Sequence, residues 1–171
     1  ISDTPSAHAH SSVVWSGSEF GVAWAHRDTS QWSIRFVRVS HDGVVQGSPI
    51  TVPDGTDGSE YPSLVWAASR YAVAWEQVGA SDTEIYLDFI SPDGSAAGAD
   101  IAVTSNTGDS DRPWLVWTGS HLGVTWQDRS TGSWRIHFAR TSAAGTPVGS
   151  QIQVSPADGI SELSRLLWTG S

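Results

Sequence analysis

The sequence predicts an all-β fold made of tandem four-stranded antiparallel units, and two observations lead to this prediction. The first is a period of 51 residues, which separates successive members of two sets of tryptophans: Trp15, Trp66, Trp117 and Trp168, and Trp24, Trp75 and Trp126. The second is the succession of short apolar and β-branched runs in every unit, separated by turns rich in Gly, Ser and Asp. A fixed period of this size with four short strands is typical of the blades of a β-propeller.

Each element of the first unit is predicted from its own residues. A first strand closes at Trp15, and a second runs from Phe20 to about Arg27. A third strand is predicted from about Trp32 to Ser40, where β-branched and aromatic side chains are dense. Asp42-Gly43 predicts a two-residue hairpin turn, because this pair tolerates the positive φ angles that such a turn needs. Residues 50–52 mark a fourth strand.

Positions that hold one residue type in every complete repeat are predicted to be structural. Besides the two tryptophan sets, they include Val22, Val73 and Val124, and Ile34, Ile85 and Ile136. Apolar residues that recur at fixed places on successive strands are what neighbouring blades need in order to pack. We therefore expect both tryptophan sets to lie between blades.

The same pattern, taken at intervals of 51 residues, organises residues 1–171 as a single domain. Complete repeats are predicted at 15–65, 66–116 and 117–167, with partial repeats at 1–14 and 168–171. One chain thus holds about three and a third blades, whereas propellers typically have about 4 to 8. Because an open array would leave apolar faces bare, we expect the ring to be completed by oligomerisation or by repeats outside this sequence. The simplest oligomer is a homodimer with six blades.

Composition and charge exclude several classes of function. The net charge is −9, and all nine cationic Lys and Arg residues are arginines. Such an acidic surface repels a phosphate backbone, so nucleic acid and anionic membranes are not expected as partners. The absence of cysteine excludes disulfides and thiolate chemistry, and no apolar run reaches the roughly 20 residues that span a bilayer. The abundance of Gly, Ser, Thr and Asp without lysine leads us to expect a secreted or cell-surface protein.

The repeat length and the four-strand layout resemble bacterial secreted β-propellers, including propeller lectins and Asp-box sialidase-like proteins. The resemblance covers essentially the whole chain and is one of architecture. At the hairpin where Asp boxes lie, the chain has Ser-His-Asp-Gly at 40–43, Ser-Pro-Asp-Gly at 91–94 and Ser-Ala-Ala-Gly at 142–145. The resemblance implies a propeller fold and makes carbohydrate the first class of ligand to consider.

Two tryptophans outside the invariant sets suggest a place for such a ligand. Trp32 and Trp134 begin the third strand of their repeats, where the middle repeat has a threonine, so blade packing does not require an aromatic residue there. An exposed tryptophan among polar residues can stack on the apolar face of a sugar ring. With Arg35, Arg135 and His137 nearby, we predict a carbohydrate site around these five residues. An edge-packed tryptophan without a ligand is the alternative.

Acidic residues in the loops that cross between repeats suggest a metal. Asp54 and Asp57 lie in one crossing loop, and Asp109 and Asp111 lie in the next. Clustered carboxylates in a Gly-containing loop can bind calcium, which takes six to eight oxygen ligands. Acids in such turns also form hydrogen bonds with the local backbone. Calcium is the one cofactor that the sequence suggests, and the alternative is that the chain has none.

The repetition itself favours binding over catalysis. A sialidase-type hydrolase needs different residues from different blades at its channel, whereas these blades are near-copies of one another. The carboxylate pair of Glu76 and Asp128 can converge on one face, but nothing in the pattern singles it out. The sequence therefore predicts a non-catalytic binding module, lectin-like in its ligand, and not an enzyme. A scaffold fragment without a small-molecule ligand is the alternative, and a sialidase-like glycoside hydrolase is the third hypothesis.

Overall fold

The structure is a computed structural model that describes residues 7–28, 31–52, 58–96 and 98–170. Within these residues the chain forms twelve β-strands and no helix, hence no helix that could cross a membrane. Blade 1 contains β1 (Ala7–Trp15), β2 (Glu19–Asp28), β3 (Gln31–Ser40) and β4 (Val45–Val52). Blade 2 contains β5 (Ser59–Ala67), β6 (Arg70–Val78), β7 (Thr83–Ile90) and β8 (Ile101–Ala102). Blade 3 contains β9 (Ser110–Trp117), β10 (His121–Asp128), β11 (Arg135–Ser142) and β12 (Ile152–Gln153).

The topology is that of an open, partial propeller. Each blade is a four-stranded sheet in which consecutive strands pair antiparallel, so sheet order follows chain order. The first strands are the innermost ones, since β1 lies against β5 and β5 lies against β9. The predicted all-β fold of four-stranded antiparallel blades is confirmed. The repeat boundaries, which follow the period rather than the sheets, stay a prediction.

The hydrophobic core lies between the blades rather than within any one of them. One cluster joins blades 1 and 2 and includes Ile34, Phe36, Tyr71 and Trp75. A second cluster joins blades 2 and 3 around Trp126. Blade 2 therefore buries both of its faces, and its second strand, β6, is buried along most of its length. A strand that is buried on both faces needs apolar residues at nearly every position rather than at alternate ones.

The invariant tryptophans are buried only where a neighbouring blade covers them. Trp75 and Trp126 are fully buried, and Trp66 and Trp117 pack at the edges of the two clusters. Trp15 and Trp168, at the two open ends, are 45% and 43% exposed. Trp24, in blade 1, is half-buried. The prediction that all of them lie between blades is thus wrong for Trp15, Trp24 and Trp168, because no described blade covers them.

The hairpins between third and fourth strands differ slightly from prediction. In blade 1, Gly43 donates its N–H to the carbonyl of Ser40, and Ser40 donates to the carbonyl of Val44. This pattern closes a three-residue loop rather than a two-residue turn. Gly43 has a φ of 81°, so the glycine does supply the left-handed residue that such a loop requires.

Each inner strand carries a β-bulge at the same place in the repeat. Two residues of the inner strand face one tryptophan of the second strand, so His10 and Ser11 oppose Trp24, and the register shifts there. Equivalent shifts occur in blades 2 and 3, opposite Trp75 and Trp126. A bulge bends the strand and redirects a side chain, which is why bulges often border functional sites.

Candidate functional site at the mouth of the central cleft

The inner strands surround a central cleft of about 770 Å³. Its walls come from four stretches that are equivalent in the repeat: residues 10–13, 61–64, 112–115 and 163–165. The first three belong to β1, β5 and β9. The fourth follows β12, so this part of the chain takes the place that the inner strand of a fourth blade would occupy.

Four different side chains occupy the same position of the repeat on the wall of this cleft. His10, Tyr61, Arg112 and Leu163 are each 51 residues apart, and all four are left-handed, with φ between 50° and 59°. Non-glycine residues in this conformation cost on the order of 1–3 kcal/mol each and tend to cluster at functional sites. The backbone therefore repeats at this position while the side-chain chemistry does not.

The first three of these side chains form a contiguous group. The ring of His10 stacks on the ring of Tyr61, with 3.7 Å between ring centroids. The guanidinium carbon of Arg112 lies 5.2 Å from the centre of the same tyrosine ring. His10 Nε2 also lies 3.9 Å from Glu60 Oε2. Residues from three blades thus meet at one end of the cleft.

Carboxylates lie immediately beside this group. Glu60 is directly opposite Glu76 in the register of β5 and β6, and Asp111 is opposite Gln127 in β9 and β10. Glu76 is only 8% exposed, and its Oε2 accepts a 2.8 Å hydrogen bond from the backbone N–H of Arg112 in the next blade. We call His10, Glu60, Tyr61, Glu76, Asp111 and Arg112 the mouth cluster.

Burial raises the pKa of Glu76 to about 8, and the charges of Asp111 and Glu60 act in the same direction. The hydrogen bond from Arg112 and its guanidinium charge only partly oppose this rise. Glu76 therefore holds a proton at neutral pH. A carboxylic acid that stays protonated at pH 7 is the chemical requirement for a general acid.

Asp111 responds less strongly to similar surroundings. Burial raises its pKa to about 6, the charge of Asp109 adds to the rise, and Arg112 and a hydrogen bond with Gln127 oppose it. At pH 7 Asp111 is therefore mostly ionised while Glu76 is mostly protonated. Two neighbouring carboxyl groups with separated pKa values are what acid and base partners in one site need.

One further aromatic residue lines the cleft. Trp114 lies in β9, its Nε1 donates a 3.1 Å hydrogen bond to the carbonyl of Leu166, and the Arg165 guanidinium lies 4.4 Å from the centre of its ring. The equivalent positions of the two earlier repeats are Ser12 and Ser63. Trp114 is thus another departure from the repeat on the wall of the cleft.

The predicted carbohydrate residues lie elsewhere. Trp32 and Trp134 are half-buried, in blades 1 and 3, with an arginine guanidinium 5.2 and 5.8 Å from their respective ring centres. Arg35 donates a 2.6 Å hydrogen bond to Thr51. Within the described part of the chain, none of the five residues lines the cleft, and their binding role stays a prediction.

Arg135 and His137 contact other residues of blade 3 and of the segment that follows it. Arg135 is buried and donates to the carbonyl of Trp134 at 2.9 Å and to the carbonyls of Ala157 and Gly159, so it fastens the chain that leaves blade 3. His137 packs beside Trp126, with 5.8 Å between ring centroids.

The predicted calcium ligands are only partly described. Asp54 and Asp57 lie outside the described residues. Asp109 accepts a 3.3 Å hydrogen bond from the backbone of Thr83, and Asp111 belongs to the mouth cluster. Among the residues that the structure describes, no group of three or more His, Cys, Asp or Glu side chains is placed to hold a metal ion. Calcium stays an untested prediction.

Sequence reasoning missed Tyr61, Arg112 and Trp114, and the pair of Glu76 and Asp128, which it considered without singling it out, is not formed. In the structure Asp128 accepts hydrogen bonds from Asn106, Ser110 and Ser130 instead. The signal that could have found the mouth cluster is the set of positions at which the repeat fails, because these blades do differ where they face the channel. Treating the blades as near-copies hid that signal.

Comparison with known proteins shows similarity of structure only. No family model matches the chain, and no curated protein matches it. A subtype N10 neuraminidase-like protein of A/little yellow-shouldered bat is 9% identical with a TM-score of 0.61, covering 86% of this chain and 44% of that one. A family 117 glycoside hydrolase from the marine bacterium Zobellia galactanivorans is 10% identical with a TM-score of 0.63, covering 85% and 55%. An endo-arabinase from Bacteroides thetaiotaomicron is 13% identical with a TM-score of 0.59, covering 84% and 61%.

This chain therefore spans about half the length of the solved structures that it resembles. The likeness supports a propeller-like fold and corrects the functional prediction. The interpretation as a non-catalytic binding module or scaffold, and the prediction that the chain is not an enzyme, are contradicted, because these neighbours are glycoside hydrolases and neuraminidase-like proteins. They match the third hypothesis. At such low identity the likeness concerns the fold, and any chemistry must be argued from the residues of this chain.

Proposed function

We propose that this chain carries the catalytic centre of a glycoside hydrolase at the mouth of the central cleft. The observation that supports this most is the meeting of Glu76 and Asp111 from adjacent blades, with pKa values of about 8 and about 6. Glycoside hydrolysis usually uses two carboxyl groups, one protonated and one ionised, on either side of the scissile bond. The fold of the neighbours described above is one on which this chemistry is carried out.

The two carboxyl groups would divide the reaction between them. Glu76 donates its proton to the glycosidic oxygen as the bond from that oxygen to the anomeric carbon breaks. Ionised Asp111 stabilises the positive charge that develops on the sugar, either by attacking the anomeric carbon or by taking a proton from the attacking water. The products are a shortened sugar with a free hydroxyl and a released sugar that carries the oxygen of water.

The remaining side chains of the mouth cluster would bind and orient the sugar. Arg112 presents a fixed positive charge and up to five N–H donors, and its position over the Tyr61 ring limits its movement. The stacked rings of His10 and Tyr61 form one wall of the mouth. Because these residues come from three blades, the site depends on blade packing.

The neighbours suggest which substrates to try first. The solved structures described above include an endo-arabinase and a neuraminidase-like protein. Arabinosides and sialosides are therefore the first two substrate classes for this chain. Secretion or display at the cell surface, where polymeric glycans are met, belongs to the same proposal.

The test is turnover of 4-nitrophenyl α-L-arabinofuranoside, α-1,5-linked arabino-oligosaccharides and 4-methylumbelliferyl sialoside. On the arabino-oligosaccharides, whose sugar leaving group needs a proton, Glu76→Gln and Asp111→Asn should each lower kcat by about 10² to 10⁴, the usual contribution of a general acid or base. Asp93→Asn, which removes an exposed carboxylate on a hairpin of blade 2, is the matched control and should leave kcat unchanged. Thermal melts establish that each variant is folded. Full activity in Glu76→Gln, or no turnover of any of these substrates, would reject the proposal.

We also propose that a second copy completes the ring when this chain is alone in solution. The face of blade 1 that no blade covers includes Val13, which is 64% exposed, whereas its counterpart Leu64 in blade 2 is 4% exposed beneath blade 1. The outward faces of blades 1 and 3 are repeat equivalents of faces that already pack together. Light scattering should give about twice the 18.2 kDa chain mass, and a folded 18.2 kDa monomer would argue against this closure.

A further inference from the structure

Trp114 stands where the repeat has a serine that ties one inner strand to the next. Ser12 Oγ accepts a 3.0 Å hydrogen bond from the backbone of Leu64, and Ser63 Oγ accepts a 2.9 Å hydrogen bond from Leu115. At the third junction the direction of the hydrogen bond is reversed, because Trp114 Nε1 donates to the carbonyl of Leu166 at 3.1 Å. The link between strands is kept, so the structural task at this position does not require an aromatic ring.

The ring is held in a defined orientation on the cleft wall. Its Nε1–H is used by Leu166 and is not available to a ligand, so the π face is what the indole can offer. The Arg165 guanidinium lies over that ring, 4.4 Å from the centroid. Both faces of an aromatic ring are electron-rich, so the face that attracts a cation can also attract the polarised C–H groups of a sugar.

Arg165 is suited to give way to a ligand. It is exposed and belongs to the stretch after β12, which has no regular strand structure. In β9 only Pro113 separates Trp114 from Arg112 of the mouth cluster, and both side chains line the same cleft. A sugar chain entering the mouth cluster would therefore extend past the Trp114 ring.

We propose that Trp114 is a stacking platform for a neutral furanose or pyranose ring that lies beside the reacting sugar, with Arg165 covering the platform in the free protein. This inference rests on the proposed function for its choice of ligand. It assigns the sugar-stacking role to a tryptophan in the cleft rather than to Trp32 or Trp134. The same stacked pair of Trp and Arg, outside the cleft, is formed by Trp134 with Arg129, which supplies a matched control.

The repeat itself supplies the test variant. Trp114→Ser restores the residue found at the two equivalent positions, whose hydroxyl groups already accept a hydrogen bond from the neighbouring inner strand, so it should fold. Trp114→Phe keeps a ring and removes the Nε1–H. Binding of α-1,5-linked arabinotriose and of cellotriose is measured by calorimetry in a Glu76→Gln background, where turnover does not interfere.

Trp114→Ser should weaken binding at least about tenfold, Trp114→Phe should weaken it only a few-fold, and Trp134→Ser should leave it unchanged. Equal affinities in Trp114→Ser and its parent, or no binding of either trisaccharide, would overturn the platform. Should Trp114→Ser fail to fold, Trp114→Phe decides: a few-fold loss of affinity supports stacking, whereas an unchanged affinity or a loss of tenfold or more contradicts it. Binding that depends on Trp114 without any hydrolysis would leave this inference standing while the proposed function fails. Hydrolysis by the parent protein, together with an unchanged KM in Trp114→Ser, would support the proposed function and overturn the platform.

Discussion

The packing between blades and the mouth of the cleft follow the same 51-residue period, yet they use it in opposite ways. Between blades the period repeats side chains: Trp75 and Trp126 are both fully buried, and each donates its Nε1–H at 3.3 Å to the residue two positions later. At the mouth the period repeats only the backbone, since His10, Tyr61 and Arg112 share a left-handed φ and nothing else. In this molecule the repeat specifies the fold, and the failures of the repeat mark the candidate site.

The bulge connects these two regions physically. In each blade the two bulged residues lie opposite the tryptophan of the second strand, so the buried ring and the cleft side chain are positioned by one local distortion. Pro62 and Pro113 follow the left-handed residue in blades 2 and 3. Proline fits there because a bulge does not need every ladder N–H. A change in the core should therefore disturb the mouth, whereas a change at the mouth should leave the core intact.

The largest effect on stability should come from the core. Trp75→Ala should lower the free energy of unfolding by about 3–5 kcal/mol, because it removes a large, fully buried ring between two blades. Trp24→Ala is the matched control, since Trp24 occupies the same place in blade 1, where it is only partly buried. Urea unfolding should show a clearly smaller loss for Trp24→Ala. Equal losses would contradict the distinction between blade 2, which is packed on both faces, and blade 1, which is packed on one.

A smaller effect, of opposite sign, should come from the mouth. The pKa of Glu76 is raised from 4.5 to about 8 on folding, so its contribution to stability is fully present below pH 4.5 and is lost as pH rises toward 8. One such group changes the free energy of unfolding by at most about 1.4 kcal/mol per pH unit. Glu76→Gln removes this loss and places at position 76 the residue found at its repeat equivalent, Gln127, whose side chain accepts a hydrogen bond from Leu163.

Unfolding measured at pH 5, 6, 7 and 8 should therefore show that the free energy of unfolding of Glu76→Gln increases relative to that of the parent protein as pH rises. Comparison of these two proteins at each pH isolates Glu76 together with its electrostatic coupling to Asp111, whose pKa is also raised on folding. A constant difference across this range would mean that Glu76 ionises normally in the folded protein. The mouth cluster would then lack its proton donor.

The smallest predicted effect concerns the links between inner strands. Ser63→Ala should cost about 1–2 kcal/mol, because it leaves the buried backbone N–H of Leu115 without its acceptor. Ser18→Ala, at an exposed turn, serves as the control and should change stability by less than about 0.5 kcal/mol. A negligible cost at Ser63 would show that the inner strands are held by side-chain packing alone.

Much of the fold could be predicted from the sequence because its determinants repeat. The tryptophan sets, the invariant Val22, Val73 and Val124, and the hairpin glycine at 43 are local signals, and they gave the strands, the blades and the open ring. The bulge could not be predicted in this way. His10, Tyr61 and Arg112 carry no glycine or asparagine signal for a left-handed backbone, since tertiary packing imposes that conformation.

The site was missed for a related reason. The sequence does not single out the pair of Glu76 and Asp128. The repeat equivalent of Glu76 is Gln127, so Asp128 is one residue out of frame and its side chain points to the opposite face of its strand. There Asn106, Ser110 and Trp126 hold its carboxylate by hydrogen bonds. Burial alone would raise the pKa of Asp128, yet these bonds and those from Ser130 hold it below its ordinary value. Asp128 is therefore a structural carboxylate, whereas Glu76 is the one that keeps a proton.

The most direct test of the central claim is the pH dependence of kcat/KM on whichever oligosaccharide the chain cleaves, because a sugar leaving group needs the proton of a general acid. If the departures from the repeat form the catalytic pair, the profile should be bell-shaped. The rate should fall below about pH 6, as Asp111 gains a proton, and above about pH 8, as Glu76 loses one. Glu76→Gln should remove the alkaline limb along with most of the rate. A profile that keeps both limbs in the Glu76→Gln and Asp111→Asn variants would place the catalytic groups elsewhere and contradict the account.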